Sequence, residues 1–224
     1  MKQEQWTAMD EYLMSRLLPH DAALDAALEA SAAAGLPSIN VAPNQGKMLH
    51  LLAKLRGARR ILEIGTLGGY SAIWLARALP SDGRLLSLEA NHDYAAVARS
   101  NVERAGLAGA ALIVVGDAAH TLDKFVTDGV DPFDMIFLDA DKKSYPEYLR
   151  LSLQLSRSGT VIVSDNVIRR GEIADLASTD PDVVGLHEFF RLLAANPRLD
   201  STAVQTVGMK GWDGFSISIV SDEH

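Results

Sequence analysis

The sequence predicts an α/β domain: a mostly parallel seven-stranded sheet with helices on both faces, ended by a C-terminal antiparallel hairpin. Three observations predict it. From Arg60 onward, short apolar runs alternate with stretches of helical periodicity, the pattern of a parallel sheet with crossover helices. At 61–71 the chain reads ILEIGTLGGYS, and a second apolar run, Leu85 to Leu88, ends in Glu89. Strand, glycine turn, helix, strand and acidic tip make up the plan of a nucleotide-binding βαβ unit. Finally, only MKGWDG separates the last two apolar runs, too little chain for a parallel crossover, so one of those strands runs antiparallel.

Taken in order, the first segment is helical. Trp6, Met9, Leu13 and Leu17 recur on one helix face, and Pro19 ends that helix. Asp21 to Ala34 is alanine-rich, with leucines at 24 and 28, and closes at Gly35 and Pro37. Gln45 to Leu55 places Met48, Leu51, Leu52 and Leu55 on one side of a third helix. Residues 1–57 therefore read as a helical cap, and 58–224 as the α/β core of the same single domain. Strands are expected at 60–64, 84–88, 110–115, 133–138 and 159–164, with helices at 69–79, 92–105, 117–127 and 144–157. A polar stretch follows Asp165, then a helix near 183–195, then strands at 201–208 and 215–220. No repeat, linker or low-complexity segment interrupts the chain.

Composition narrows the function. The 224 residues, 48% hydrophobic, suffice for one well-filled core. A net charge of −8 argues against nucleic-acid and membrane surfaces, which are met with basic patches. There is no cysteine, which removes disulfides, thiolate catalysis and Cys-type zinc sites and suits a cytoplasmic protein. The N-terminus lacks the apolar stretch of a signal peptide, and no run approaches membrane-spanning length. The six histidines (20, 50, 92, 120, 187 and 224) include no pair at i, i+3 or i+4, and His187-Glu188 fails as a zinc motif because position 191 is arginine.

What stands at the predicted strand ends is more informative, because open α/β sheets bind ligands there. Glu63 and Gly65, then Glu89, then Gly116 and Asp117, then Asp139, Asp141 and Lys142, then Asp165 and Asn166 end five consecutive strands. The glycine turn lacks the G-x-G-x-x-G spacing of a dinucleotide site. Glu63 beside it would repel a pyrophosphate and attract a cation, such as the amino group or sulfonium of S-adenosylmethionine. That turns the reading from dehydrogenase toward methyltransferase. Any single acid here also fits a helix N-cap or a turn, and Asp117 suits an N-cap well. Asp139, Asp165 and Asn166 together form an oxygen-only cluster whose repulsion a divalent cation would relieve, with coordination positions left over for water and substrate. Trp74 reads as core. Tyr70 is placed to touch the methionine part of a cofactor, and Trp212 either packs the hairpin or lines a substrate mouth. Arg169 and Arg170 are either solvated loop residues or a site for an acidic acceptor.

These residues lie in motifs that resemble the cation-dependent O-methyltransferases of the caffeoyl-coenzyme A and catechol type: ILEIGTLGGYS, GDA at 116–118, FLDADKKSY at 137–145, VSDNV at 163–167 and GWDGFSI at 211–217. The resemblance runs from about Asn40 to the C-terminus. It implies the Rossmann-like S-adenosylmethionine-dependent methyltransferase fold, S-adenosylmethionine as methyl donor, and Mg²⁺ (or Mn²⁺, Ca²⁺ or another divalent cation). It also implies a small phenolic acceptor with two adjacent hydroxyls and a homodimer. Carried over by motif, Glu63, Gly65 and Ser71 hold the methionine end, Glu89 the ribose, and Asp117 and Ala118 flank the adenine. Val41, in what resembles the family's pre-strand helix, also touches the cofactor. Asp139, which borders the cofactor too, binds the metal with Asp165 and Asn166. Lys142 is the general base; the D-x-x-K spacing favours it over Lys143, which stands where relatives often have an acid. Two alternatives accompany this reading: a metal-independent methyltransferase of the same fold, and a nucleoside-binding protein without catalysis.

Overall fold

Pro19 and Asp21 divide the first two helices, α1 (Gln3–Leu17) and α2 (Ala22–Ala33), in the computed structural model, which describes residues 2–222. Asp21 is the N-cap of α2, its carboxylate accepting from the N–H groups of Ala23 and Leu24 at 3.1 Å each. α3 (Pro43–Arg56) starts on a proline and ends at Gly57 in the left-handed region. Among the six histidines, His224 lies outside the described residues.

The sheet comprises β1 (Arg60–Ile64), β2 (Arg84–Glu89), β3 (Ala111–Val115), β4 (Phe133–Leu138), β5 (Ser156–Asp165), β6 (Leu199–Gly208) and β7 (Gly211–Val220). Their spatial order is β3-β2-β1-β4-β5-β7-β6, and only β7 runs against its neighbours. This is the mostly parallel seven-stranded sheet that the alternation predicts. The crossover helices are α4 (Tyr70–Ala76), α5 (His92–Arg104), α6 (Ala118–Thr127), α7 (Tyr145–Gln154) and α8 (Pro181–Ala195). Period-2 alternation sorts the sheet's side chains into two cores. Ile61, Leu85, Met135, Phe137 and Val163 face the layer built from α2, α3, α4 and α5. Leu62, Leu88, Ile136, Leu138 and Ile162 face α6, α7 and α8. Among the described residues, no helix is long and apolar enough to cross a membrane.

The structure departs from expectation at several boundaries. The MKGWDG loop is shorter than expected: Gly208 pairs with Gly211 and Val207 with Trp212, which leaves a two-residue turn, Met209-Lys210. Gly211, at φ +103°, supplies backbone that an L side chain would resist, so the ladder continues almost to the turn. Trp212 is thus a residue of β7. It packs against Gly171, and its indole N–H donates to Gln205 Oε1 at 3.1 Å, so it belongs to the hairpin. α4 stops at Ala76, ahead of Pro80, and not at residue 79. β5 starts at Ser156, drawn into the sheet by pairing with Phe133, where the sequence suggested helix to 157. Val41 lies in extended chain before α3, outside any helix.

Candidate active site

Where the strand order turns, β1 and β4 lie side by side and their crossovers leave to opposite faces, opening a crevice at their carboxyl ends. The Asp139 N–H donates to Ile64 O at 2.9 Å and the Gly65 N–H to Leu88 O at 3.0 Å, so the three strand tips are locked together. A Cβ on Gly65 would lie 2.2 Å from the Asp139 carbonyl oxygen. The glycine is therefore required for the close approach of the two tips, as well as by its φ of +94°. A cavity of about 850 Å³ opens over this crevice.

One half of the cavity is built on the glycine turn. Glu63 is fully buried beneath it; Oε2 accepts from the Thr66 hydroxyl at 3.0 Å and from the Ser87 hydroxyl, while Oε1 has no hydrogen-bond partner. Burial pushes its carboxyl up to about 7, against the hydroxyls that favour the charged form. A buried carboxylate oxygen left bare is costly unless a donor or cation arrives. Glu89, at the tip of β2, accepts from the N–H groups of Leu67 and Asn91 at 2.9 Å each, which fixes its carboxylate at the cavity wall. Asp117 caps α6 through the His120 N–H at 2.8 Å and also lines the cavity, as do Val41, Gly65, Ser71, Tyr70 and Ala118. Asp117 is thus both the N-cap of α6 and a wall residue of the cavity. Trp74 lies in the core.

The other half is built on the tips of β4 and β5. Lys142 is only 5% exposed, and its ammonium donates to Asp139 Oδ1 (3.1 Å), Ala140 O (2.9 Å) and the Tyr145 hydroxyl (2.9 Å). The Tyr145 hydroxyl is in turn 2.9 Å from both Leu138 O and Asp165 O, one proton serving two acceptors. Burial first, and the Asp139 and Asp165 charges after it, push the Tyr145 phenol well above its ordinary range, so it stays a neutral donor. Asp165 is 4% exposed; burial and the Asp139 carboxylate beside it push its pKa up. Two carboxylates held close at low dielectric need a cation beside them, and the Lys142 ammonium on Asp139 is one. Among the described residues, no group of three or more His, Cys, Asp or Glu gathers to hold a metal. Beside the two carboxylates, Asn166 follows Asp165 at the end of β5 and lines the cavity with φ +54°.

Leu67, Asn166, Arg169 and Arg170, the four non-glycine residues with positive φ among those described, all border this cavity or the cleft beside it. Such strain, on the order of 1–3 kcal/mol per residue, persists only where surroundings impose it. For the stretch after β5 the imposing group is Asp213, which the sequence reading did not single out. Its Oδ1 accepts from the N–H groups of Ile168 (2.9 Å), Arg169 (3.1 Å) and Gly214 (2.9 Å). The signal in the sequence is Asp213 between Trp212 and Gly214; its partners Ile168 and Arg169 lie more than forty positions away. Asp213→Ala is expected to destabilise the protein by about 2 kcal/mol. It is also expected to raise the acceptor KM several-fold with little change in cofactor affinity, as measured by denaturant melts and steady-state kinetics. Unchanged acceptor KM would show that the clamp does not serve the site.

Arg169 and Arg170, taken together in the sequence, point apart. Arg169 lines the main cavity; Arg170 lines a neighbouring cleft with Gln3, Trp6 and Trp212. The turn residues Met209 and Lys210 line both, and Asp10 holds them: it is buried on α1, with Oδ2 accepting the Met209 N–H at 2.7 Å and Oδ1 the Asn44 amide at 2.9 Å.

Comparison with known proteins bears on the family and the fold. The O-methyltransferase family model matches residues 18–214. A catechol O-methyltransferase of Niastella koreensis is 50% identical over 220 residues, covering 98% of this chain and 100% of that protein. The crystal structure of an O-methyltransferase from Bacillus cereus in complex with SAH superposes with a TM-score of 0.97 at 50% identity, over 98% of this chain and 100% of that one. The O-methyltransferase TomG from Streptomyces achromogenes, involved in tomaymycin synthesis and solved in complex with SAM, gives 0.96 at 46% identity, over 99% and 100%.

Proposed function

The chain belongs to the O-methyltransferase family, and from that premise we propose that it transfers the methyl group of S-adenosylmethionine to one hydroxyl of a vicinal dihydroxy aromatic, with the help of a divalent cation. The observation that carries the proposal is one cavity with two chemically distinct halves. The glycine turn and Glu89 meet, across the β1–β4 crevice, Asp139 and Asn166 with Lys142 beside them, while Glu63 and Asp165 lie buried just behind this lining, at the ends of β1 and β5.

The residues fit the absent groups. The bare Glu63 Oε1 suits the ammonium of a methionine moiety, with Gly65 and Ser71 alongside. Glu89 would take the ribose hydroxyls, Asp117 and Ala118 would flank the base, and Val41 would close over the cofactor. Asp139, Asp165 and Asn166 would hold the metal, Asp139 also bordering the cofactor. The bound donor supplies a methyl group on a positively charged sulfur. When bound, a divalent cation would lower the pKa of two adjacent phenolic oxygens, ordinarily near 10.

Lys142 then has a defined task. Neutral, it keeps two N–H donors, enough for Ala140 O and the Tyr145 hydroxyl, and its lone pair is freed on the Asp139 side. There it accepts the phenolic proton at Nζ. Tyr145 holds the amine in place through both Leu138 and Asp165. Because charge is consumed as the oxygen attacks the methyl, positioning and exclusion of water are what the cavity has to provide.

A homodimer is part of the same proposal. α1 exposes Met9, Tyr12, Leu13 and Leu17, and α3 exposes Leu51 and Leu55, apolar surface that suits a second copy of the chain. The cysteine-free composition supports the cytoplasm as its compartment.

The experiment is methyl transfer from S-adenosylmethionine to catechol, run with Mg²⁺ and with excess EDTA. Product is expected only with the metal, at a rate at least about 10²-fold above the chelated reaction. Turnover indifferent to EDTA would remove the metal role assigned to Asp139, Asp165 and Asn166.

A further inference from the structure

We propose that the acceptor is anionic: a vicinal dihydroxy aromatic bearing a carboxylate, which Arg169 and Lys210 read at the mouth of the cavity. The inference rests on the methyl-transfer reading above and names the substrate class of that same site.

Three cationic side chains line the cavity, Lys142, Arg169 and Lys210. Lys142 is committed to Asp139, Ala140 and Tyr145. The other two have no part in holding the methyl donor or the metal. They come from different elements, Arg169 from the stretch after β5 and Lys210 from the β6–β7 turn.

Both keep donors in reserve. The Arg169 guanidinium makes one long contact, 3.3 Å from Nη2 to Asp182 Oδ2. Its Nε is buried with no hydrogen-bond partner. Asp182 is shared, its other oxygen accepting the Lys143 N–H at 3.2 Å. The buried Nε holds the guanidinium within the wall, and the Nη edge, engaged only in that one long contact, is what a planar carboxylate fits. Lys210 donates to Ser38 O at 3.1 Å and, among the described residues, forms no ion pair with a carboxylate. A freely solvated loop arginine would have neither a buried bare N–H nor a backbone pinned at φ +52° by Asp213. Arg170, one residue on, is exposed and turned to the neighbouring cleft, so the assignment is to Arg169 alone.

Asp141 and Asp182 line the cavity as well. Their repulsion is greater for a phosphate dianion than for a carboxylate monoanion, which favours the carboxylate. A neutral acceptor would offer the Arg169 Nη edge and Lys210 no charge to pair with, and sites built to pair a ligand group discriminate against ligands that lack it.

The test uses the full-length enzyme with S-adenosylmethionine and Mg²⁺. The acceptors are 3,4-dihydroxybenzoate and 3-(3,4-dihydroxyphenyl)propanoate, each against its methyl ester, so that size is nearly constant and only the charge is removed. For at least one pair, kcat/KM of the acid is expected to exceed that of the ester by about tenfold or more, mostly through KM. Arg169→Gln and Lys210→Gln are each expected to lower that acid-to-ester ratio several-fold, and Arg169→Lys to recover part of it. Esters turned over as well as or better than both acids would overturn the inference and leave the methyl-transfer reading intact. So would a ratio unchanged in both glutamine variants. No methyl transfer to any of the four compounds, with metal present, would overturn the proposed function and this inference with it.

Discussion

Asp139→Asn is expected to lower kcat/KM for a catechol by about 10³-fold or more while S-adenosylhomocysteine still binds within about tenfold of wild type. The substitution removes charge and little else. The backbone at 139 is held by its own N–H on Ile64 O, which is independent of the side chain, and an amide oxygen can still accept from Lys142. What is lost is half of the carboxylate pair that raises the Asp165 pKa and, in the proposed function, half of the charge that binds the cation. Electrostatic stabilisation by a bound metal is worth several kcal/mol, and about 4 kcal/mol corresponds to 10³-fold. The residual rate should also no longer respond to EDTA. Kinetics with and without chelator, beside calorimetric titration of S-adenosylhomocysteine, measure both halves. Activity within tenfold of wild type would mean that the Asp139 charge does not carry the chemistry.

Glu63→Gln is expected to act in opposite directions on stability and on binding. Burial holds the Glu63 carboxyl at about 7 in the folded chain, above its ordinary value of 4.5. Between those values the native state keeps a proton that the unfolded chain has released. Stability contributed by the protonated form is thus complete below the unfolded pKa and is lost as pH rises through 4.5 to 7. At pH 8 the unliganded protein carries a penalty of roughly 3 kcal/mol from this one carboxylate. Glutamine has no charge to bury, so the unliganded variant is expected to melt about 5–10 °C higher than wild type at pH 8, with the difference closing toward pH 5. Cofactor affinity is expected to fall by about 10²-fold or more, because the buried partner of the methionine ammonium is gone. Thermal melts across pH and titration of S-adenosylhomocysteine test the two signs separately. A variant less stable than wild type at pH 8, or one that binds the cofactor as tightly, would contradict this account of Glu63.

The legible part of the site is the part made by local rules. Glu63, Gly65 and Glu89 stand at strand ends that periodicity marks, and a glycine turn with an acid two residues before it has few other uses. Asp139 and Lys142 lie three apart where a strand gives way to a helical turn, so their meeting is local as well. The less legible residues depend on pairing across the chain. Asp213 clamps residues some 45 positions earlier, and Asp10 meets Met209 some 200 positions later. Trp212 looked like a loop residue because MKGWDG is rich in turn formers. The ladder to Val207 made it a strand residue, since hydrogen bonds to an available neighbour outweigh local turn preference.

The alternation of apolar runs, the glycine turn and the acids at the strand ends determined an α/β sheet with a ligand crevice at its carboxyl edge. They did so because strand and helix periods and glycine's freedom act within a few residues. Which of two adjacent arginines enters the cavity, what the hairpin turn covers, and which carboxylate oxygen is left bare were decided only in the tertiary structure. Direction, burial and hydrogen-bond supply at those atoms depend on groups that folding brings from elsewhere in the chain, and no window of sequence contains both sides of such a contact.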